Sequence, residues 1–274
     1  MLNNQTPMIS ASELALAARK LILKMTSSAG APHVGSALSV VDILSVLYTG
    51  TANITPENLN SADRDIVILS KGHAASALYS VLGLQGFFPI EWLNDYCKNG
   101  SVLGGHVNSK GIPGVEFSSG SLGHGMPYGV GIALSRKRSL IGGHVYVVVS
   151  DGECDEGTTW ESAMIANHFN LDNLTVIVDR NGLQSLTFTE DTMKLEPFED
   201  KWKAFGWQTQ IVDGHDFSGI KFSLSNFSGP KCLIANTIKG KGIKFMENTV
   251  LWHYKSLMEK DLKSALKELD GNLS

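Results

Sequence analysis

Two segment ends carry residue types that could do chemistry together. The apolar run Val145-Tyr146-Val147-Val148-Val149 leads into Ser150-Asp151-Gly152-Glu153. A second run, Leu174-Thr175-Val176-Ile177-Val178, leads into Asp179-Arg180-Asn181-Gly182-Leu183. Asp151 and Asn181 lie 30 residues apart, about the length of one strand–helix–strand unit. On neighbouring strands both side chains would emerge at one edge of a sheet. Asp151 then offers a carboxylate, Asn181 an amide oxygen, and Leu183, as a loop residue, its main-chain carbonyl. Three hard oxygen donors that leave positions open suit Mg²⁺ or Ca²⁺, with diphosphate oxygens and a water completing the coordination. Gly152 has no side chain, so its N–H could approach a phosphate closely. Taken alone, Asp-Gly and Asn-Gly are also ordinary turn dipeptides.

The elements that must position these residues follow from apolar periodicity. Residues 12–26 read as a helix, with Leu14, Leu21 and Met25 near helical spacing and Ser10 or Ser12 as its cap. Residues 38–49 read as a second helix, Ile66–Leu69 as a buried strand and Ala74–Leu84 as a helix. Residues 122–138, glycine-rich but mostly apolar, read as a tightly packed helix. Val145–Val149 and Leu174–Val178 have the continuous apolar character of parallel strands covered on both faces, with Thr158–Phe169 helical between them. Gln208–Val212 and Cys232–Ile238 read as two further strands, and residues 258–269 as a terminal helix. Strands alternating with helices predict an α/β fold, a parallel β-sheet flanked by helices on both faces. Ligands of such sheets sit beyond the carboxyl ends of the strands. No repeat, low-complexity tract or linker interrupts the pattern, so residues 1–274 read as a single domain with a short C-terminal helical extension.

Composition bounds the rest. The 274 residues carry 23 Lys and Arg against 27 Asp and Glu, a formal charge of −4. An apolar content of 43% excludes a disordered chain. The absence of a Lys/Arg cluster argues against nucleic acid as a partner. The run Val145–Val149 falls far short of the roughly 20 residues that span a membrane. Met1-Leu2-Asn3-Asn4-Gln5 lacks the basic-then-apolar pattern of a secretory leader. Cys97, Cys154 and Cys232 are odd in number and scattered, which fits a reducing compartment, the cytoplasm, rather than a disulfide framework or a zinc site.

The segment from Ser150 to Leu183 resembles the thiamine-diphosphate motif, Gly-Asp-Gly followed 25 to 30 residues later by Asn. Glu156-Gly157, Trp160-Glu161-Ser162-Ala163 and Leu171-Asp172-Asn173-Leu174 fit between. The family resembled most is transketolase, in its N-terminal, diphosphate-binding half. Ala31-Pro32-His33-Val34-Gly35, Ser70-Lys71-Gly72-His73-Ala74 and Gly104-Gly105-His106 are similar to its three histidine loops. Pro113-Gly114-Val115-Glu116, then Gly120-Ser121-Leu122-Gly123, are similar to its cofactor-cradling loop. Asp213-Gly214-His215-Asp216, Thr237-Ile238-Lys239-Gly240-Lys241-Gly242 and Trp252-His253 complete the series in order, over roughly residues 12–255. Each piece is weak; the ordered set is specific.

The resemblance implies a thiamine-diphosphate-binding domain in which Asp151, Asn181 and the Leu183 carbonyl hold Mg²⁺, or Ca²⁺ or Mn²⁺, against the diphosphate. It implies cofactor contacts from Ser36, His73, Gly152 and Asn181, and support of the aminopyrimidine by Gly120, Ser121 and Leu122. Lys239 would offset phosphate charge. Glu156 would serve the cofactor site and, with Glu161, lie at an interface between protomers. His33, His106 and His253, with His73, would form the catalytic set lining the substrate channel, where imidazole can move protons to and from sugar hydroxyls. His144, His168 and His215 read as structural.

Three positions depart from the family pattern. Ser150 replaces the first glycine, His124 stands where glutamine is usual, and Val107 replaces a proline after the third histidine loop. Nothing matches the family's second half, which supplies the glutamate and the stacking aromatic at the pyrimidine. The resemblance therefore implies a split enzyme: a separately encoded pyrimidine-binding subunit completing each site in an α₂β₂ assembly. The expected activity is transfer of a two-carbon ketol unit from a ketose, phosphorylated in the usual case, to an aldose. Two alternatives stand beside it. One is another thiamine-diphosphate enzyme, of the 2-oxo-acid dehydrogenase or deoxyxylulose-phosphate synthase type, which would release CO₂ from a 2-oxo acid. The other is a non-catalytic regulatory subunit, which would fail to bind the cofactor.

Overall fold

The computed structural model describes residues 9–225 and 228–271; Met1–Gln5, where a leader would begin, lie outside them. Five strands, β1 (Ile66–Leu69), β2 (Val145–Ser150), β3 (Leu174–Arg180), β4 (Gln208–Asp213) and β5 (Lys231–Asn236), pair in parallel in the order β1-β2-β3-β5-β4. Among the described residues the helices are α1 (Ala11–Ala29), α2 (Val34–Val46), α3 (Ala75–Leu84), α4 (Gly125–Ser139), α5 (Gly157–His168), α6 (Thr189–Thr192), α7 (Phe198–Ala204), α8 (Phe217–Ser223) and α9 (Glu259–Gly271).

Alternation along each strand divides the core in two. Val145, Val147 and Val149 of β2 face α4, α5 and α7, whose Ala133, Ala163 and Trp202 share their cluster. Tyr146 and Val148 face the other way, toward Ile22, Leu38, Leu78 and Ile220 of α1, α2, α3 and α8. Burial on both faces is why these strands read as unbroken apolar runs. The chain passes over one strand position between β3 and β4, then steps back to place β5 between them. A right-handed crossover made in that reversed direction puts α8 on the face opposite α5. The segment Val34–Thr51 is long and apolar enough to cross a membrane. All of α2 within it is buried, against α1 and α3, so this apolarity serves the core.

Several boundaries differ from the sequence reading, among them the end of β5, at Asn236 rather than Ile238. α1 starts at Ala11 rather than 12, capped by Ser10, whose hydroxyl accepts from the Glu13 N–H at 3.2 Å while Glu13 accepts from the Ser10 N–H at 2.9 Å. α2 begins at Val34 rather than 38, directly after His33, which adopts the left-handed conformation with φ 71°. α4 begins at Gly125 rather than 122, which frees residues 120–124 to form a loop at the carboxyl edge of the sheet. The register sets the site: Ser150 pairs with Asp179, so Asp151 lies one residue and Asn181 two residues beyond the last matched pair of β2 and β3.

Candidate active site

A cleft of about 420 Å³ opens at the carboxyl ends of β2 and β3. Asp151, Asn181 and Leu183 all line it. Asp151 is 1% exposed. Its Oδ2 accepts from the Gly182 N–H at 2.7 Å and its Oδ1 from the Gly152 N–H at 2.9 Å. The carboxylate is thus hydrogen-bonded to the residue that follows Asn181. Asn181 Oδ1 accepts from the Leu183 N–H at 3.1 Å, so it points along the same loop. Lys239 Nζ donates to the Leu183 carbonyl at 3.0 Å and to the Gln184 carbonyl at 3.2 Å. The ammonium therefore already lies on one of the three predicted oxygens, the Leu183 carbonyl. Among the described residues no three His, Cys, Asp or Glu side chains gather as a metal site. One carboxylate, one amide oxygen and one carbonyl nevertheless make a donor set that suits a hard divalent ion sharing phosphate oxygens.

Burial raises the Asp151 pKa, and the charge of Asp179 adds to the shift; the Gly182 and Gly152 amides and Lys71 offset it in part. A nearby divalent cation would reverse that balance. Burial, with Lys71, pushes Lys239 down to about 8 against the pull of Asp151 and Asp179. Both groups lie where charge is costly and a diphosphate with its cation would complete the neutralisation.

The four histidines drawn from three distant loops and the Trp252-His253 segment meet at the other end of the cleft. The His33 ring lies 5.3, 5.7 and 5.1 Å from those of His73, His106 and His253. Ser36 Oγ and His73 Nε2 are hydrogen-bonded at 2.9 Å. Lys239 donates to His253 Nδ1 at 2.8 Å, which leaves the His253 proton on Nε2. His33 Nδ1 is buried with no hydrogen-bond partner in the protein. Its left-handed backbone is strained for a non-glycine residue, a feature that collects at functional sites. Burial holds His33 down to about 4 and His253 to about 3, with further repulsion from His106 and Lys239 respectively. Burial, with Lys71, lowers His73 as well.

These imidazoles are expected to stay neutral under mild acid. In NMR titration the His33 and His253 ring signals should be flat from pH 8 to pH 6, and a midpoint near 6.5 at either would contradict the assignment. The linkage has a sign. A histidine whose folded pKa is depressed supports the fold fully above its unfolded value, and that support is lost as pH falls toward 4.

A second set of buried groups holds the cleft from behind. Lys71 and Asp179, both 0% exposed, form an ion pair beneath Asp151, with Ser39 and Thr237 also donating to Asp179. Glu153, 0% exposed, accepts from Ser70 and from the Gly123 N–H at 2.9 Å, while Thr158 donates to the Gly123 carbonyl at 2.7 Å. These bonds pin the 120–124 loop over the cleft. Gly72 is required here: a Cβ at this position would lie 2.2 Å from the Ser119 carbonyl oxygen. None of Lys71, Asp179 and Glu153 was assigned a role from the sequence, because their partners lie 108 and 83 residues away.

Of the other residues singled out, His33, Ser36, His73, His106, Gly120, Leu122, Gly152, Lys239 and His253 line the cleft. Ser121 and Glu156 do not. Both are exposed, Ser121 on the rim loop and Glu156 beside Gly123, ahead of α5. Gln184, Ser185 and Tyr254 line it without having been anticipated. The departures have physical accounts. Ser150 keeps φ out of the left-handed region, and its hydroxyl accepts from the Glu153 N–H at 3.2 Å. Val107 donates its N–H to the Gly72 carbonyl at 3.1 Å, a bond proline cannot make. His124 does not line the cleft, its Nδ1–H donating to the Leu122 carbonyl at 3.0 Å.

The fold and this cleft define an α/β domain built to hold an anionic cofactor at the carboxyl edge of a parallel sheet, with a histidine-lined chamber beside it. A family model described as the transketolase, thiamine diphosphate binding domain matches residues 10–272, and the chain belongs to that family. It is a transketolase subunit of the short, N-terminal kind. It is 39% identical to a 6-deoxy-6-sulfo-D-fructose transketolase subunit of Clostridium sp. strain MSTE9, covering 92% of this chain and 93% of that one. It is also 39% identical to an apulose-4-phosphate transketolase subunit of Actinobacillus succinogenes, covering 92% of each. The crystal structure of Campylobacter jejuni transketolase superposes with a TM-score of 0.89 at 29% identity, over 95% of this chain and 42% of that one. The chain thus spans about two fifths of the length of the full transketolases it matches.

Proposed function

We propose that this chain is the diphosphate-binding half of a two-chain transketolase that moves a two-carbon ketol unit from a ketose to an aldose. The observation that carries the reading is convergence. Residues from His33 to His253, separated by up to 220 positions, meet in one cleft with the oxygen donors at one end and the imidazoles at the other. Asp151, Asn181 and the Leu183 carbonyl would hold the divalent cation, Mg²⁺ in the simplest case. Lys239 and the Gly152 N–H would meet the diphosphate, and Ser36, His73 and the 120–122 loop the rest of the cofactor. Thiamine diphosphate supplies the electron sink for breaking the carbon–carbon bond beside a ketone.

The protein's own part is proton traffic. Cleavage of a ketose needs a base at a sugar hydroxyl and an acid at the departing aldehyde oxygen. His33, His106 and His253 would surround those oxygens; the unpartnered Nδ1 of His33 is open to a proton, whereas His253, its Nδ1 taken by Lys239, would present its Nε2–H as a donor. The relatives described above are named for a sulfonated and a phosphorylated sugar. Among the described residues the chamber holds no arginine, and its one lysine, Lys239, already donates to the Leu183 and Gln184 carbonyls and to His253 Nδ1. An anionic sugar would therefore find its counter-charge on a partner.

Support for that partner comes from the chain's match to relatives named as subunits. The rim is also apolar: Leu186, Phe188, Leu251 and Tyr254 are exposed around the cleft, and Met164 and Ile165 are exposed on α5 near Glu161. We place the pyrimidine-binding subunit there, in an α₂β₂ assembly with two-fold symmetry. The free Cys97, Cys154 and Cys232 accord with a cytoplasmic setting.

The test is reconstitution. The chain alone should give no turnover. Mixed with the partner, thiamine diphosphate and Mg²⁺, it should transfer a ketol unit, and chelation should abolish the activity. Release of CO₂ from a 2-oxo acid, or turnover by the chain alone, would overturn the proposal.

A further inference from the structure

Lys239 stands on a loop rather than on a strand or helix, yet its ammonium is aimed at two carbonyls and a ring nitrogen. What fixes the loop lies outside the cleft. The His215 ring sits under it, with Nε2 accepting from the Ile238 N–H at 2.9 Å. An amide donor at Nε2 puts the ring proton on Nδ1, which donates to Asp42 Oδ2 at 2.7 Å. Arg19 grips Asp42 with two bonds of 2.7 Å, and its Nε returns to the Lys241 carbonyl at 3.2 Å. The network closes on both sides of Lys239, at the amide of 238 and the carbonyl of 241. The side chains of Arg19, Asp42 and His215 are 9%, 3% and 11% exposed, and none lines the cleft.

Three buried polar side chains are an expensive way to fill a core, because apolar groups of similar volume often serve stability as well or better. Their geometry is specific in another sense: both ends of the network terminate on the backbone of the Lys239 loop. We propose that Arg19, Asp42 and His215 are positioning residues that set the place of the Lys239 ammonium and, through it, the affinity for the cofactor diphosphate. The inference rests on reading Lys239 as a diphosphate contact.

The experiment uses the chain purified with its pyrimidine-binding partner. It reads the thiamine diphosphate dissociation constant by calorimetry at fixed Mg²⁺, beside the thermal midpoint without cofactor. His215→Phe removes both bonds and keeps the volume; His215→Gln keeps a donor and an acceptor; Lys239→Ala removes the ammonium. His215→Phe should weaken cofactor binding roughly tenfold to a hundredfold, the range for groups that orient a binding residue. His215→Gln should restore most of it. His215→Phe combined with Lys239→Ala should bind no more weakly than Lys239→Ala alone, the mark of action through one residue. If His215→Phe does not fold, Asp42→Asn takes its place in the cycle. Full affinity in His215→Phe, or additive losses in the double variant, would overturn the inference. Unchanged affinity in Lys239→Ala would instead overturn the reading beneath it.

Discussion

Asp151→Asn should weaken thiamine diphosphate binding by at least about a hundredfold in the presence of Mg²⁺, beyond what loss of an orienting group costs. Relative to the parent, the variant's thermal midpoint should rise from pH 5 to pH 8, as removal of the charge offsets the lost Gly152 bond. The two halves of this prediction have one cause. Asp151 is a carboxylate buried next to a second carboxylate, and its pKa is raised by that burial first and by Asp179 next. A group whose folded pKa is raised contributes stability below its unfolded pKa and loses it as pH rises through the folded value. At neutral pH, without a cation, the charge therefore opposes folding. The amide keeps an oxygen for the Gly182 N–H but gives up the acceptor of the Gly152 N–H, removes the charge, and removes the anionic ligand. Calorimetric titration with Mg²⁺ and cofactor, and thermal melts from pH 5 to 8, check both. Undiminished Mg²⁺-dependent affinity would contradict the prediction.

Lys71→Met should destabilise the chain by about 3–5 kcal/mol, the cost of leaving one partner of a buried pair uncompensated. For a chain this long that corresponds to a fall of roughly 6–20 °C in thermal midpoint. Burial alone would raise the Asp179 pKa, but Lys71, Ser39 and Thr237 outweigh it and hold the carboxyl below its usual range. Its contribution is present above the unfolded carboxylate range and is lost as pH falls. Lys71→Met with Asp179→Asn should recover part of the loss, since the orphan charge is gone. A loss under about 1 kcal/mol in the single variant, measured by denaturant unfolding, would show that the pair is not held as described.

What could be read in the sequence was whatever local pattern encodes. Val145–Val149 and Leu174–Val178 announced buried parallel strands because both faces of β2 and β3 are covered. β1 matched its predicted limits for the same reason. α7 and α8 were not read; each has seven residues, too few for a periodic stripe to stand out. The placement of β5 between β3 and β4 had no local sign, since strand order depends on pairing between distant segments. At the site, motif order identified the residues that line the cleft, because most sit in short glycine-containing loops with distinctive neighbours. It gives no role to Glu153, Asp179, Arg19 or Asp42, and marks His215 within the Asp213-Gly214-His215-Asp216 segment only as structural; these residues do not line the cleft and act through partners far off in the chain. Glu156 carries the motif's signature and yet stands outside the cleft, exposed beside Gly123. The motif recorded its residue type, while its place depends on where α5 begins.

The central claim is that Asp151, Asn181 and the Leu183 carbonyl share one divalent cation with the cofactor diphosphate. Anomalous diffraction from crystals grown with thiamine diphosphate and Mn²⁺ tests it directly. The account predicts one anomalous peak at the carboxyl ends of β2 and β3, within about 2.0–2.6 Å of all three oxygens, the range for hard cations. A peak away from these oxygens, or a bound diphosphate with no metal beside Asp151, would contradict it.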